Sequence, residues 1–392
     1  MSDPHLFFDS LILLFLINSF HSFIIRFSIN KHATTQPQIT MATVAKETAT
    51  EKRKRTITDL DVFYASSSFV SNQPDQVKRR IAMGYTAARL DMGFGVRRNQ
   101  ARAQCMFVEA AFMGDLYSRA IVLMKGWGTA LDSVSGFTLL MHAAANGHIA
   151  AEYDVGLCFR DGLGCEKNEP AAIDFLLQSA FHGYAPAQHA LGDCFYVGKG
   201  VDADPMQAVM WYERAAKQGL ALAQNQLGVC YDKGTGVTHN PARAVEWYQR
   251  AADQGFATAQ HNLGVCYVRG SGVIAARTTA AAWFQRAADQ GLAKAQHNLA
   301  LLYALQGNAS NQMRALMWYQ RAANQGHVKS LYSLGVCYEH GYGVKQDLHR
   351  AVGLYKRAAD RGYEKAKIMS AKLNDALLLL WFNDSETCER QA

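Results

Sequence analysis

The stretch ALAQNQLGVCYDKGTGVTHNPARAVEWYQRAADQG, residues 221–255, returns 36 positions later as ATAQHNLGVCYVRGSGVIAARTTAAAWFQRAADQG, residues 257–291. The same frame recurs on both sides. Gly156, Gly192, Gly228, Gly264, Ala300 and Gly335 hold one equivalent position, at steps of 36, 36, 36, 36 and 35. A fixed period in this range marks a stacked array rather than one globular core around a buried site.

Each unit reads as two helices. In the second copy Ala187, Leu191, Cys194 and Phe195 make one apolar stripe at helical spacing. Gly198-Lys199-Gly200-Val201 is a turn whose glycines permit positive φ. Asp204-Pro205 supplies an N-cap and a first-turn proline, as Asn240-Pro241 does in the next copy. Ala208, Val209, Trp211, Tyr212, Ala215 and Ala216 form the second stripe, and Gln218-Gly219 ends it. A helix pair this short cannot bury its own apolar face, so neighbours must stack. The fold class expected is all-α: a right-handed α-solenoid, or superhelix, of stacked antiparallel helix pairs.

Leu191-Gly192, Tyr231, Gly234-x-Gly236-Val237, Ala244, Trp247-Tyr248, Ala251-Ala252 and Gly255, with their counterparts, resemble the Sel1-like repeat of the wider tetratricopeptide-like helical superfamily. Six copies begin at Ala151, Ala185, Ala221, Ala257, Ala293 and Val328, and a seventh is indicated near Glu364. The resemblance implies a non-catalytic scaffold or adaptor that binds a protein or peptide along a concave groove. Relatives include signalling regulators, activators of membrane enzymes and a component of endoplasmic-reticulum quality control. The fifth copy departs from the pattern: Leu302 to Asn308 lacks the paired-glycine turn, is one residue short, and has Ala300 for glycine. This reads either as a local change of superhelix curvature or as drift in a tolerant loop. In the first copy Phe175-Leu176 replaces Trp-Tyr and Cys165 replaces valine, which makes it a transition unit.

The domain reading is five segments: an apolar N-terminal stretch (1–40), a polar, basic linker (41–80), degenerate helical repeats (81–150), six clear repeats (151–366), and a capping helix with its tail (367–392). Residues 136–148 fit both a degenerate unit of the same array and an ankyrin-like unit. In the N-terminal stretch, the uncharged run Ser10 to Ile25 is short of the ~20 residues a membrane-spanning helix needs. It suits a signal-peptide core, but no Lys or Arg precedes it. Three readings stay open: a signal or anchor over residues 6–25, an untranslated leader with the protein starting at Met41, and a core helix. The first two set the location, endoplasmic reticulum or membrane against cytoplasm. The basic cluster Glu51-Lys52-Arg53-Lys54-Arg55 adds the nucleus as an alternative.

A net charge of +7 over 392 residues is too modest to imply nucleic-acid binding by itself. Phosphate-binding loops of the Walker type and nucleophile elbows are missing, and the Gly-x-Gly-Val turns follow helices, so a dinucleotide reading fails. Catalysis is not expected, and neither cofactor nor metal is called for. A hydrolase remains the least favoured reading, behind an adaptor held at a membrane or in the endoplasmic-reticulum lumen. The in-phase Cys158, Cys194, Cys230, Cys266 and Cys337 read as reduced core thiols. Equivalent positions one unit apart are ~10 Å from each other, beyond disulfide reach. Cys158 with Cys165 is the one pairing worth testing.

Three ladders remain. Trp211, Trp247, Trp283 and Trp318 read as structural, together with Gly192, Gly228, Gly264 and Gly335. Arg214, Arg250, Arg286, Arg321 and Arg357 follow them, with Asp253, Asp289 and Asp360 placed for i, i+3 ion pairs. Gln188-His189, Gln224-Asn225, Gln260-His261 and Gln296-His297 lie off the apolar stripe of the first helices. They are the candidate groove contacts, against a reading as plain solvated surface. The apolar Ala376 to Phe382 reads as a cap, or alternatively as a dimer or partner contact.

Overall fold

The computed structural model describes residues 75–93 and 98–389, with side chains to residue 377. The apolar and basic segments before Asp75 lie outside the described residues. Seventeen helices and no strand occur among the described residues. They run α1 (Asp75–Met92), α2 (Gln100–Phe112), α3 (Leu116–Lys125), α4 (Ser133–Ala145), α5 (Ile149–Asp161) and α6 (Glu169–Phe181). Then follow α7 (Ala185–Val197), α8 (Pro205–Lys217), α9 (Ala221–Lys233), α10 (Pro241–Asp253), α11 (Ala257–Arg269) and α12 (Arg277–Asp289). The last five are α13 (Ala293–Ala304), α14 (Ala309–Asn324), α15 (Val328–His340), α16 (Leu348–Ala359) and α17 (Glu364–Glu389).

Each helix packs on the one before and the one after it, and the strongest packing is within pairs. The protein is an α-solenoid of stacked helix pairs. The pairs α1–α2 and α3–α4 extend the stack upstream of the clear repeats. The first helix among the described residues runs from Asp75, inside the segment read as linker. Of residues 136–148, which also fitted an ankyrin unit, 136–145 belong to one uninterrupted helix, α4, packed on α3. The four tryptophans are spread over successive core clusters rather than gathered in one centre.

The repeated residues have specific jobs. Gly264 lies beneath the buried ring of Phe284, where an added Cβ would sit 2.6 Å from the ring. Gly192, Gly228 and Gly335 meet Tyr212, Tyr248 and Tyr355 in the same way. The ladder is therefore glycine because an aromatic ring occupies the Cβ site. Asp204, Asn240 and Asp347 cap the N-termini of α8, α10 and α16 with side-chain oxygens. The buried aromatic is the Tyr or Phe, whereas Trp247, Trp283 and Trp318 are only half-buried.

Each of the four ladder tryptophans carries an arginine over its face. Arg214 over Trp211, Arg250 over Trp247 and Arg321 over Trp318 stand 4.5 Å from the ring centre, and Arg286 stands 4.4 Å from that of Trp283. This is the main departure from the ion pairs expected of that ladder. Asp253 and Asp289 instead accept from Gln249 and Gln285, each at 2.8 Å. The indole face lies one helical turn back, and the planar guanidinium stacks on it with less desolvation than an ion pair requires.

The seven cysteines among the described residues are free, Cys158 and Cys165 included. The five in-phase thiols are buried, and burial pushes Cys230, Cys266 and Cys337 up to about 11. They pack as small apolar groups and are poor nucleophiles. In the fifth unit α13 ends at Ala304 with Leu305 in a right-handed conformation, where other first helices end on a left-handed glycine. A longer α14, starting at Ala309, takes up the chain that the missing turn would have used.

Candidate functional site

The face made by successive first helices, α7, α9, α11, α13 and α15, carries the residues singled out as groove contacts. They divide into two groups. Gln188, Gln224, Gln260 and Gln296 are buried, only 4–5 % exposed. Each amide nitrogen donates to the last turn of the preceding second helix, at Ala180, Ala216, Ala252 and Ala288, over 3.1–3.2 Å. Each amide oxygen accepts at 2.8 Å from Gln218, Gln254, Gln290 or Gln325. The glutamines thus close each inter-unit corner from inside. Expected to line the groove, they are turned into the array instead, because the carbonyls ending each second helix need partners. Gln260→Ala should cost about 1–3 kcal/mol, since it leaves the buried Ala252 carbonyl without the Gln260 amide. The expected readout is a lower urea midpoint.

The neighbouring ladder is partly available. His189 and Asn225 are buried, while His261 and His297 are half-buried. His189 Nδ1 lies 3.5 Å from Asp193 Oδ2. The polar position after this ladder, occupied by Gln226, Asn262, Asn298 and Ser333, is half-buried as well. These residues went unnoticed in the sequence, although their polarity recurs in register from Gln226 onward.

A hydrogen-bonded chain links the two positions across units. Asn298 Nδ2 is 3.0 Å from His261 Nε2, and His261 Nδ1 is 3.3 Å from Asn262 Oδ1. Asn262 Nδ2 donates to Asn225 Oδ1 at 3.0 Å, and Asn225 Nδ2 to Gln226 Oε1 at 3.4 Å. Asn298 can only donate through Nδ2, so His261 accepts at Nε2 and carries its proton on Nδ1. Burial, the largest effect, lowers the His261 pKa and keeps the ring neutral, as this chain requires.

Farther along, His297 Nδ1 and His327 Nδ1 converge on the Ser330 hydroxyl at 3.0 and 2.8 Å. Their rings stand 5.0 Å apart, and His297 lies 5.6 Å from the Tyr319 ring. Burial, reinforced by His327 and Lys329, pushes His297 down to about 4. His327 is lowered by burial, Lys329 and Lys294. Histidine, cysteine, aspartate and glutamate form no metal-ligating group of three or more among the described residues. The face can hydrogen-bond and attract anions, and it presents half-buried apolar side chains at Val229, Val265 and Val336 beside exposed Leu301.

Comparison with known proteins places this architecture. A family profile described as Sel1 repeat matches residues 149–184, 185–220, 221–256, 257–292, 293–327 and 328–363. The first unit therefore opens at Ile149, two residues before the start read from the sequence. A search of curated protein sequences returned no match. Among solved structures, the chain is similar to c5321, a protective antigen of uropathogenic Escherichia coli strains displaying an SLR fold, with a TM-score of 0.60 and 26% identity. That match covers 83% of this chain and 68% of the other. It is also similar to a Sel1 repeat protein from Oxalobacter formigenes, with a TM-score of 0.56 and 30% identity, over 62% of this chain and 96% of that one. With six matched units spanning more than half of its residues, and glycine-for-ring packing in four of them, the chain belongs to the Sel1 repeat family.

Proposed function

We propose that the protein is a non-catalytic interaction scaffold whose first-helix face, the concave groove of the array, binds an extended segment of a partner protein. The observation that carries this reading is the pairing, unit after unit, of a half-buried amide or hydroxyl with an apolar neighbour: Gln226 with Val229, Asn262 with Val265, Asn298 with Leu301, Ser333 with Val336. Stacked helices repeat at ~10 Å. An extended peptide advances ~3.3 Å per residue. Each unit thus meets about every third residue of such a segment, offering a hydrogen bond to its backbone and an apolar contact to one side chain. Among the glutamine, histidine and asparagine residues first singled out, His261 and His297 retain exposed surface for this role.

The test is a double substitution on this face, with thermal unfolding followed in parallel to separate lost binding from lost stability. Asn262→Arg combined with Leu301→Arg should weaken partner binding at least roughly tenfold. Glu246→Lys, on the exposed side of α10, should leave it unchanged. Binding is measured by titration calorimetry with a partner recovered by cross-linking to the full chain. If the double variant binds with undiminished affinity, recognition does not use the first-helix face.

A further inference from the structure

The fifth unit is where the array breaks its own pattern, and two independent features meet beside it. The first is an opening. In units two to four the turn valines Val201, Val237 and Val273 pack against the core. The fifth unit's short turn supplies no valine. Beside that turn an open pocket of about 430 Å³ is lined by Ala304, Ala315, Tyr319, Ser333, Val336 and Cys337, among others. Next to it Leu301 is 45 % exposed and Leu305 64 % exposed. The lining is mostly apolar, and the volume exceeds that of any single side chain.

The second feature is charge. His297 touches Tyr319, a wall of this pocket, and leads into the cluster of His297, His327 and Ser330. Lys294 and Lys329 act electrostatically on these imidazoles, and the groups that perturb His261, His297 and His327 include no carboxylate. Neither lysine makes an ion pair among the described residues. The first helices of the last three units hold one acid, Glu339, and it accepts the Tyr355 hydroxyl at 2.5 Å. An unpaired basic patch therefore adjoins an unfilled apolar pocket. Exposed Lys329 and the pocket's Val336 on α15 mark the two, about 10 Å apart at ~1.5 Å per residue. That is the reach of about three extended residues.

We infer that the fifth and sixth units bind a partner segment carrying one bulky apolar side chain, seated in the pocket between α13, α14 and α15, with acidic residues about three positions away on Lys294 and Lys329. The inference rests on the scaffold reading above and specifies its chemistry. The apolar anchor gains by leaving water, and the acidic residues meet lysines whose charges are not offset within the array.

The experiment is selection from a random peptide display library on the full chain, followed by fluorescence anisotropy with the recovered peptides. The recovered peptides should pair a Leu, Phe, Met or Trp with Asp or Glu at that spacing. Ala304→Trp fills the pocket from an exposed position. Lys294→Glu with Lys329→Glu reverses the patch on exposed sites. Each should weaken binding at least roughly tenfold while thermal unfolding stays unchanged. Suppose instead that peptides lack this pattern, or ignore both variants, yet are lost in Asn262→Arg with Leu301→Arg. Then this inference is wrong and the scaffold reading stands. If no peptide is recovered, or none responds to any first-helix substitution, both fall.

Discussion

Gly236→Val is expected to destabilise the array by about 3–5 kcal/mol and to split its unfolding into two transitions. Two effects add. Gly236 has φ of 70°, a left-handed conformation that a β-branched residue pays heavily to adopt. A side chain at this position would also meet the neighbouring unit: a Cβ would lie 2.1 Å from the Pro205 carbonyl oxygen and 2.5 Å from its carbon. Both atoms are backbone at the start of α8 and cannot swing aside. The turn of the third unit must therefore lift off the second. Stability in a solenoid is a sum of unit and nearest-neighbour terms, so one broken interface uncouples the two sides. Gly255→Ala is the control. Gly255 has φ of 89° but nothing within 4 Å of its Cβ site, so only the backbone cost, about 1 kcal/mol, remains. Differential scanning calorimetry of the two variants separates conformational strain from interface contact. One cooperative transition in Gly236→Val at the parent temperature would refute the argument.

Between pH 7 and pH 4.5, His148→Asn should gain about 2–3 kcal/mol of stability relative to the parent chain. His148 caps α5, accepting from the Ala151 amide at Nδ1 over 3.2 Å. Its ring is sandwiched between Tyr85 and Tyr117, with centroids 4.5 and 4.4 Å away. Burial is the main effect and pushes its pKa down to about 4, with Asp115 opposing. The sign follows directly. The unfolded chain takes up a proton as pH falls through the ordinary histidine range near 6.5, and the folded chain does not until about 4. In that window the unfolded state binds more protons, so the parent loses stability as pH falls. Asparagine retains an N-cap oxygen and does not titrate. The comparison with a variant is needed because Asp154 runs the other way. Burial raises its carboxyl to about 7 although it accepts from Tyr117 at 2.9 Å, so its folded form prefers the proton and gains stability on acidification. His182, raised by its bond to Glu152, also favours the acid side. Urea unfolding of both chains at the two pH values isolates His148. Parallel stability curves would show that its protonation is not excluded by the fold.

How much was legible in the sequence depends on how far apart the deciding contacts lie. Gly228, Tyr231, Gly234, Asn240, Pro241 and Tyr248 spell a helix pair because caps, turn glycines and apolar stripes act within a few residues. Repetition of that local signal at 36 residues is enough to require stacking, since no pair can cover its own apolar side. Glycine under an aromatic ring was legible only as a recurring letter. Its reason, a ring pressed against Cα, belongs to the packed pair.

The chain's order of residues, read alone, thus determined the helix pairs, their number in the clear array and their stacking, because those follow from near-neighbour chemistry. Which polar groups stay accessible was decided only by tertiary structure. Gln218 reaches Gln188 across 30 positions and Asn262 reaches Asn225 across 37. A single helix's periodicity cannot show whether an amide off the apolar stripe meets water or the next unit. The four glutamines meet the unit before their own, because buried carbonyls at every corner must be satisfied. The pocket beside Ala304 and the lysines near His297 and His327 likewise exist only where three consecutive helices are brought together.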